Sequence, residues 1–108
     1  ALSTAEVQEL LGLRTPQAIH RLRSRGRIVG VQLGNLTWFP EWQFRAGRLR
    51  PDLAELLNVL GRFTSDVVAM DRIMRLERTE FGGASIVEAL DDSERAQTAL
   101  ILLGQVGA

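Results

Sequence analysis

The sequence predicts a mainly α-helical protein with one β-hairpin, built as an N-terminal winged helix-turn-helix and a C-terminal small helical bundle. Three observations predict it. Two helix signals stand back to back across a glycine turn, from Ser3 to Gly12 and from Thr15 to Gly26. A period-two apolar run follows directly, split by Gly34-Asn35. Beyond residue 50 the apolar patterns take helical spacing.

Ser3-Thr4-Ala5-Glu6 is a capping box, with the Ser3 hydroxyl accepting from the Glu6 amide while Glu6 reaches back. Leu2 and Val7 flank it as a hydrophobic staple. Val7, Leu10 and Leu11 share one face, and Gly12 ends the helix in a left-handed conformation. After Gly12-Leu13-Arg14, Thr15 is a second N-cap and Pro16 takes the first helical position, where its missing N–H costs nothing. This helix extends to about Arg25, with Gly26 as its stop. At about 100° per residue, Ala18, Ile19 and Leu22 gather inside, with Gln17, His20, Arg21 and Ser24 outside.

Ile28–Leu33 and Leu36–Phe39 then read as strands joined by the two-residue turn Gly34-Asn35, a hairpin placed as a wing. Pro40 ends the second strand and opens a short helix over Glu41–Phe44. The stretch from Arg45 to Pro51 is the expected boundary, giving domains 1–45 and 46–108. Past it, Leu53, Leu56, Leu57 and Leu60 form a stripe started by Pro51 and stopped by Gly61. Thr64 or Ser65 is the expected cap of a helix carrying Val67, Met70, Ile73 and Met74. Ser85-Ile86-Val87-Glu88 is a second capping box, opening a turn that ends near Leu90. Asp92 or Ser93 starts a last helix with Ala96, Ala99, Leu100 and Leu103 inward.

Charge adds a functional signal. Thirteen arginines balance thirteen acids, with no lysine, so the formal net charge is zero. Residues 1–50 hold eight arginines against Glu6, Glu9 and Glu41, a net of +5. Residues 51–108 hold five against ten acids, a net of −5. From Arg14 to Arg27 there are five arginines, one histidine and no acid. That pattern implies double-stranded DNA as a partner. Gln17, His20 and Arg21 are suited to base edges and Arg14, Arg23, Arg25 and Arg27 to phosphates. Thr15 sits at the helix start, and the wing, with Gln32, Asn35 and Thr37, is expected along a neighbouring groove or the backbone. One short helix offers few base contacts, so a homodimer is expected. A solvated arginine face without DNA, leaving a protein-interaction module, is the competing reading.

Other classes fall away. Zero cysteine excludes disulfide scaffolds, thiolate metal sites and thiol catalysis. His20 is the single histidine, so no metal or cofactor is expected. Asp91-Asp92 and Glu77/Glu80 read as caps and solvated charge, and no enzyme is predicted. Trp38, Phe39, Trp42 and Phe44 read mostly as core beneath the wing. No apolar run suits a membrane span and no leader pattern is seen, so a cytoplasmic chain is expected. The absence of an initial Met is expected of a trimmed chain.

Leu2–Val7, Leu10–Leu13, Thr15-Pro16, Leu33-Gly34-Asn35 and Trp38-Phe39-Pro40 together resemble the MerR/excisionase-type winged helix-turn-helix. Phe39-Pro40-Glu41-Trp42-Gln43-Phe44, Pro51 with Leu53–Leu57, and Gly82–Leu90 resemble the Xre/MbcA/ParS-type antitoxin domain. Ile86 stands where that domain commonly has proline, and Asp71 near where it commonly has tryptophan. The second resemblance implies a regulator of a toxin–antitoxin pair that binds operator DNA and neutralises a RES-type toxin, an NAD-consuming class, by direct contact. It implies a partner surface on the last two helices around Ser85, Ile86, Val87, Glu88 and Leu90. The rival within DNA binding is a stand-alone regulator whose helical half only dimerises.

Overall fold

A computed structural model describes residues 1–106, and it is mostly helical with small antiparallel sheets. Its contacts group into two compact units, 1–54 and from Glu55 onward. Residues 46–54, assigned by sequence to the helical half, therefore pack with the first unit.

In the first unit, β1 (Leu2–Ser3) leads into α1 (Thr4–Leu11), and α2 (Pro16–Ser24) follows the turn. Both halves of the first capping box form, at 3.2 Å and 3.1 Å, and Gly12 ends α1 at φ +68°. Only Val7 of the expected α1 face is fully buried; Leu11 is half-buried and Leu10 exposed. β2 (Val31–Leu33) and β3 (Leu36–Phe39) pair with Leu33 opposite Leu36, which fixes the two-residue turn. Of that turn, only Gly34 takes positive φ, the pattern of a type II′ hairpin. β1 pairs with the far edge of β3, Leu2 opposite Phe39, giving a three-stranded sheet in the order β1-β3-β2.

β2 is shorter than the expected Ile28–Leu33, and the reason lies fourteen residues from Val29. Gln43 is wholly buried at the end of a 3₁₀ turn, Glu41–Gln43, where a short helix through Phe44 was expected. Its Oε1 accepts from the Val29 amide at 2.7 Å, and its Nε2 donates to the Val29 carbonyl at 2.9 Å and the Pro40 carbonyl at 3.0 Å. One side chain thus takes both backbone groups that a strand partner would have taken. Next to it, a Cβ on Gly30 would lie 2.7 Å from the Phe39 ring, so only glycine lets the chain pass this fully buried aromatic. Phe39 and Trp42 are core as expected, with Trp38 and Phe44 half-buried.

Phe44 begins a second hairpin, β4 (Phe44–Arg45) and β5 (Arg48–Leu49), which the sequence reading took for a boundary. Its turn puts Ala46 at φ +52° and Gly47 at φ +76°, both positive as a type I′ turn requires. The Arg50 amide donates to the Gln43 carbonyl at 2.9 Å, and the buried Arg50 guanidinium meets Asp52 at 3.0 Å.

α3 (Leu53–Leu60) starts after Pro51, with the Leu53 amide donating to the Arg50 carbonyl. Leu53, Leu56, Val59 and Leu60 are buried, and Leu57 is half-buried. In the second unit, α4 (Val67–Arg75) is capped by Asp66, whose Oδ1 accepts from Val68 at 3.0 Å. The expected cap Thr64 instead accepts from the Asp66 amide, fixing the cap itself. Met70 and Met74 are buried on α4. A 3₁₀ turn (Thr79–Phe81) leads to α5 (Ile86–Leu90) and α6 (Ser93–Val106). Ala99, Leu100 and Leu103 are buried on α6 as read from spacing. The Ala96 amide donates to the Asp92 carbonyl at 2.9 Å; the alternative cap Ser93 lies outside the described side chains. Arg95 ties α6 to the Phe81 carbonyl at 2.8 Å.

Replacing Gln43 with Leu strands three backbone groups while keeping the volume. Each buried unsatisfied group costs roughly 1–3 kcal/mol, so urea denaturation of Gln43→Leu is expected to show a loss of about 3 kcal/mol or more. Gly30→Ala, forced against Phe39, is expected to lose about 1–3 kcal/mol in the same assay. A Gln43→Leu chain as stable as wild type would remove this side chain from its central place.

Candidate nucleic-acid interface

α2 is positioned from inside and displayed outside. Ile19 is fully buried, with Ala18 and Leu22 half-buried beside it. Gln17, His20, Arg21, Arg25 and Arg27 are exposed, as is Arg14 in the preceding turn. Thr15 Oγ1 accepts from the Ala18 amide at 3.4 Å, so this hydroxyl is engaged as the N-cap. Arg23 departs from the expected set. It is half-buried, and its Nε donates to the Gly30 carbonyl at 3.3 Å, bracing α2 against the chain entering β2. Its first role is structural.

The ion pairs leave more free arginines in the first unit than in the second. In the first unit Arg50 is paired with Asp52. Among the described residues, the guanidinium groups of Arg14, Arg21, Arg25, Arg27, Arg45 and Arg48 have neither an acidic partner nor a hydrogen bond. In the second unit Arg75 pairs with Asp71 and Arg78 with Glu80, while Arg62 and Arg72 are exposed and, among the described residues, without an acidic partner. Six exposed, unneutralised cations in one 54-residue unit are a strong local source of positive potential.

His20 and Asn35, distant in sequence, line one open groove of about 440 Å³ with Pro16, Thr37, Leu36 and the start of α1. Helix and hairpin tip therefore share a surface. Arg45 and Arg48, directly opposed on the second hairpin, border another concavity with Ala46, Leu49 and Pro51. Like charges in direct cross-strand register are unfavourable without an anion nearby. Sequence reading counted these two in the charge but gave them no role, because strands of two residues leave no alternation to detect. Leu33 and Leu36 were read only as strand ends, yet both stand exposed at the first hairpin tip.

The segment Ser85–Leu90 lies differently from its expected role as a surface. Ser85 is 4% exposed, Ile86 1% and Leu90 1%. Ser85 Oγ accepts from the Glu88 amide at 3.2 Å while the Glu88 carboxylate takes the Ser85 amide, so the box forms as a buried helix start. Val87 is half-buried and Glu88 exposed; these two alone of the five reach solvent appreciably. The correction follows from spacing: Ile86, Ala89 and Leu90 stand at i, i+3 and i+4, the pattern of an inward face. Among the described residues no group of three His, Cys, Asp or Glu side chains could hold a metal, and no helix is long and apolar enough to cross a membrane.

These placements separate struts from free cations. Arg23→Ala is expected to destabilise the chain by about 1 kcal/mol, and Ser85→Ala by a similar or larger amount. Arg21→Ala and Arg25→Ala should stay within about 0.5 kcal/mol of wild type in the same urea titration. Equal losses at Arg21 and Arg23 would erase the distinction. No protein-family model, no curated protein and no solved structure matches the chain.

Proposed function

We propose that this chain is a DNA-binding transcriptional regulator whose first unit acts as a winged helix-turn-helix of the MerR/excisionase kind. In this reading α2 enters the major groove, with Gln17, His20 and Arg21 toward base edges and Arg14, Arg25 and Arg27 toward phosphates. The β2–β3 hairpin is the wing, with Asn35 at its tip. Arg45 and Arg48 extend the phosphate-facing charge. The observation that carries the reading is the set of six exposed guanidinium groups without an acidic partner, four of them in or beside one helix. Lining the groove between that helix and the wing with His20, Asn35 and Thr37 suits a polar ligand surface.

The acidic half is proposed as the partner-binding and dimerising part of an antitoxin of the Xre/MbcA/ParS kind, acting on a RES-type toxin in the cytoplasm. Its support is the resemblance of Phe39–Phe44 and Gly82–Leu90. With Ser85, Ile86 and Leu90 committed to the interior, the partner surface in this reading moves to Val87, Glu88 and exposed α6 positions such as Ile101. Neutralisation would be steric, without chemistry from this chain.

Binding to a fluorescent 30-bp duplex, followed by anisotropy across a salt series, tests the first half. Affinity is expected to fall steeply with salt, with about 0.9 in log–log slope for each phosphate neutralised. Arg25→Ala/Arg27→Ala should flatten that slope by about 2 units without loss of fold. A wild-type chain with no salt-dependent duplex binding would leave the interaction-module reading in its place. For the second half, co-expression with a RES-type toxin from the same genome is expected to restore growth, and Glu88→Arg/Ile101→Arg to abolish that rescue. A chain that binds duplex but rescues no such toxin is the stand-alone regulator instead.

A further inference from the structure

The tip of the β2–β3 hairpin carries an apolar pair that the fold leaves in water. Leu33 is 59% exposed and Leu36 56%, whereas every other Leu, Ile and Val of this unit except Leu10 is buried or half-buried. They stand opposite each other in register across the turn Gly34-Asn35, so both project from the same face of the ribbon. Hairpin tips are normally polar, since nothing in the fold covers them. Here two leucines bracket an exposed asparagine at the end of a narrow, two-stranded arm.

Their surroundings narrow what covers them. Leu36 lines the groove that also holds Asn35, Thr37, Pro16 and His20, and no acid borders it. The unit holds eight arginines against Glu6, Glu9, Glu41 and Asp52, a net of +4. A second copy seated tip to tip would bring two such cationic units together. Two leucines would also bury far less than the roughly 1,200 Å² that a stable protein interface needs. Duplex DNA offers the opposite charge, together with an apolar interior between its base pairs.

We infer that Leu33 and Leu36 form an apolar wedge that enters the minor groove of bound duplex DNA and partly unstacks a base step, with Asn35 between them at the groove floor. The inference rests on the DNA-binding reading and deepens it. Aliphatic wedges of this kind kink a duplex by about 20–90°, and pyrimidine–purine steps such as TA yield most readily. The Asn35 amide can donate to the adenine N3 and thymine O2 acceptors exposed there. The regulator would therefore distort DNA as well as read it, and would favour sites that place a deformable A·T step under the wing.

The test uses the full chain and a 20-bp alternating A·T duplex, so that any register of the wing meets a TA step. Two central adenines are replaced by 2-aminopurine, whose fluorescence rises on unstacking, and a dye pair on the ends reports bending. Wild type is expected to brighten the 2-aminopurine and shorten the end-to-end distance at saturation. Leu33→Ser/Leu36→Ser should keep its melting temperature, bind about tenfold more weakly with the same salt slope, and produce neither signal. Binding by both chains with identical signals, or salt-dependent binding by wild type without brightening, overturns the wedge and leaves DNA binding standing. No binding by wild type at low salt overturns both. A shift of the double variant from dimer to monomer in sedimentation, with DNA distortion unchanged, assigns the leucines to a second copy and likewise overturns the wedge.

Discussion

The buried amide of Gln43 is the contact on which the first unit depends. Where the chain comes out of α2 toward the sheet, Val29 presents both a donor and an acceptor, and no strand lies there to receive them. Gln43 supplies both complements at once and spends its remaining N–H on the Pro40 carbonyl, holding the bend that ends β3. Its own backbone carbonyl receives the Arg50 amide, which closes the second hairpin. The chain at Val29, at Pro40 and at Arg50 thus meets on one residue. A wholly buried amide is unfavourable unless satisfied, and here both of its N–H groups and its oxygen are used. Arg23 fastens the neighbouring Gly30 carbonyl from the α2 side. The angle between α2 and the β2–β3 hairpin is therefore set by hydrogen bonds as well as by the packing of Ile19 and Phe39.

What the sequence discloses follows how local each determinant is. Both capping boxes, the Thr15-Pro16 start and the Gly34-Asn35 turn are legible because their partners lie within three residues. The buried stripes of α3 and α6 are legible because spacing alone sets a face. Legibility stops where a partner is distant. Ile28-Val29-Gly30 has strand composition, yet its polar groups go to Gln43 and Arg23, and neither could be known to face it. β1 is two residues long and gains its pairing from β3, thirty-odd positions later. The β4–β5 hairpin carries arginines where a strand shows apolar alternation, and its turn places Ala46 at positive φ, which no propensity favours.

The candidate site divides the same way. Helical arithmetic places Gln17, His20, Arg21 and Ser24 outward because exposure on a helix is a matter of phase. It misassigns Arg23, whose position at the edge of that face lets a long side chain turn inward to a carbonyl. Family likeness misassigns Ser85–Leu90 as a surface, while the i, i+3, i+4 spacing of Ile86, Ala89 and Leu90 already marks an interior. Periodicity was the better guide at that segment, because burial is what periodicity reports.

Arginine content by itself does not single out the proposed interface. Every basic residue in the chain is arginine, including Arg50 locked to Asp52 and Arg95 bound to a carbonyl, so residue type carries no information about position. Pairing does. In the acidic half Arg75 and Arg78 are matched with carboxylates close by in sequence, and their charge is largely cancelled where it stands. In the basic half six guanidinium groups are left facing water. Leaving them so costs little in the free chain, because solvent and salt screen exposed like charges beyond about 8–10 Å. The same charges become favourable beside a polyanion, where each neutralised phosphate releases a counterion. Arg62 and Arg72 of the acidic half also lack a carboxylate partner among the described residues, but they stand among ten acids, whereas the six of the basic half stand among three, a contrast that the zero net charge of the whole chain conceals.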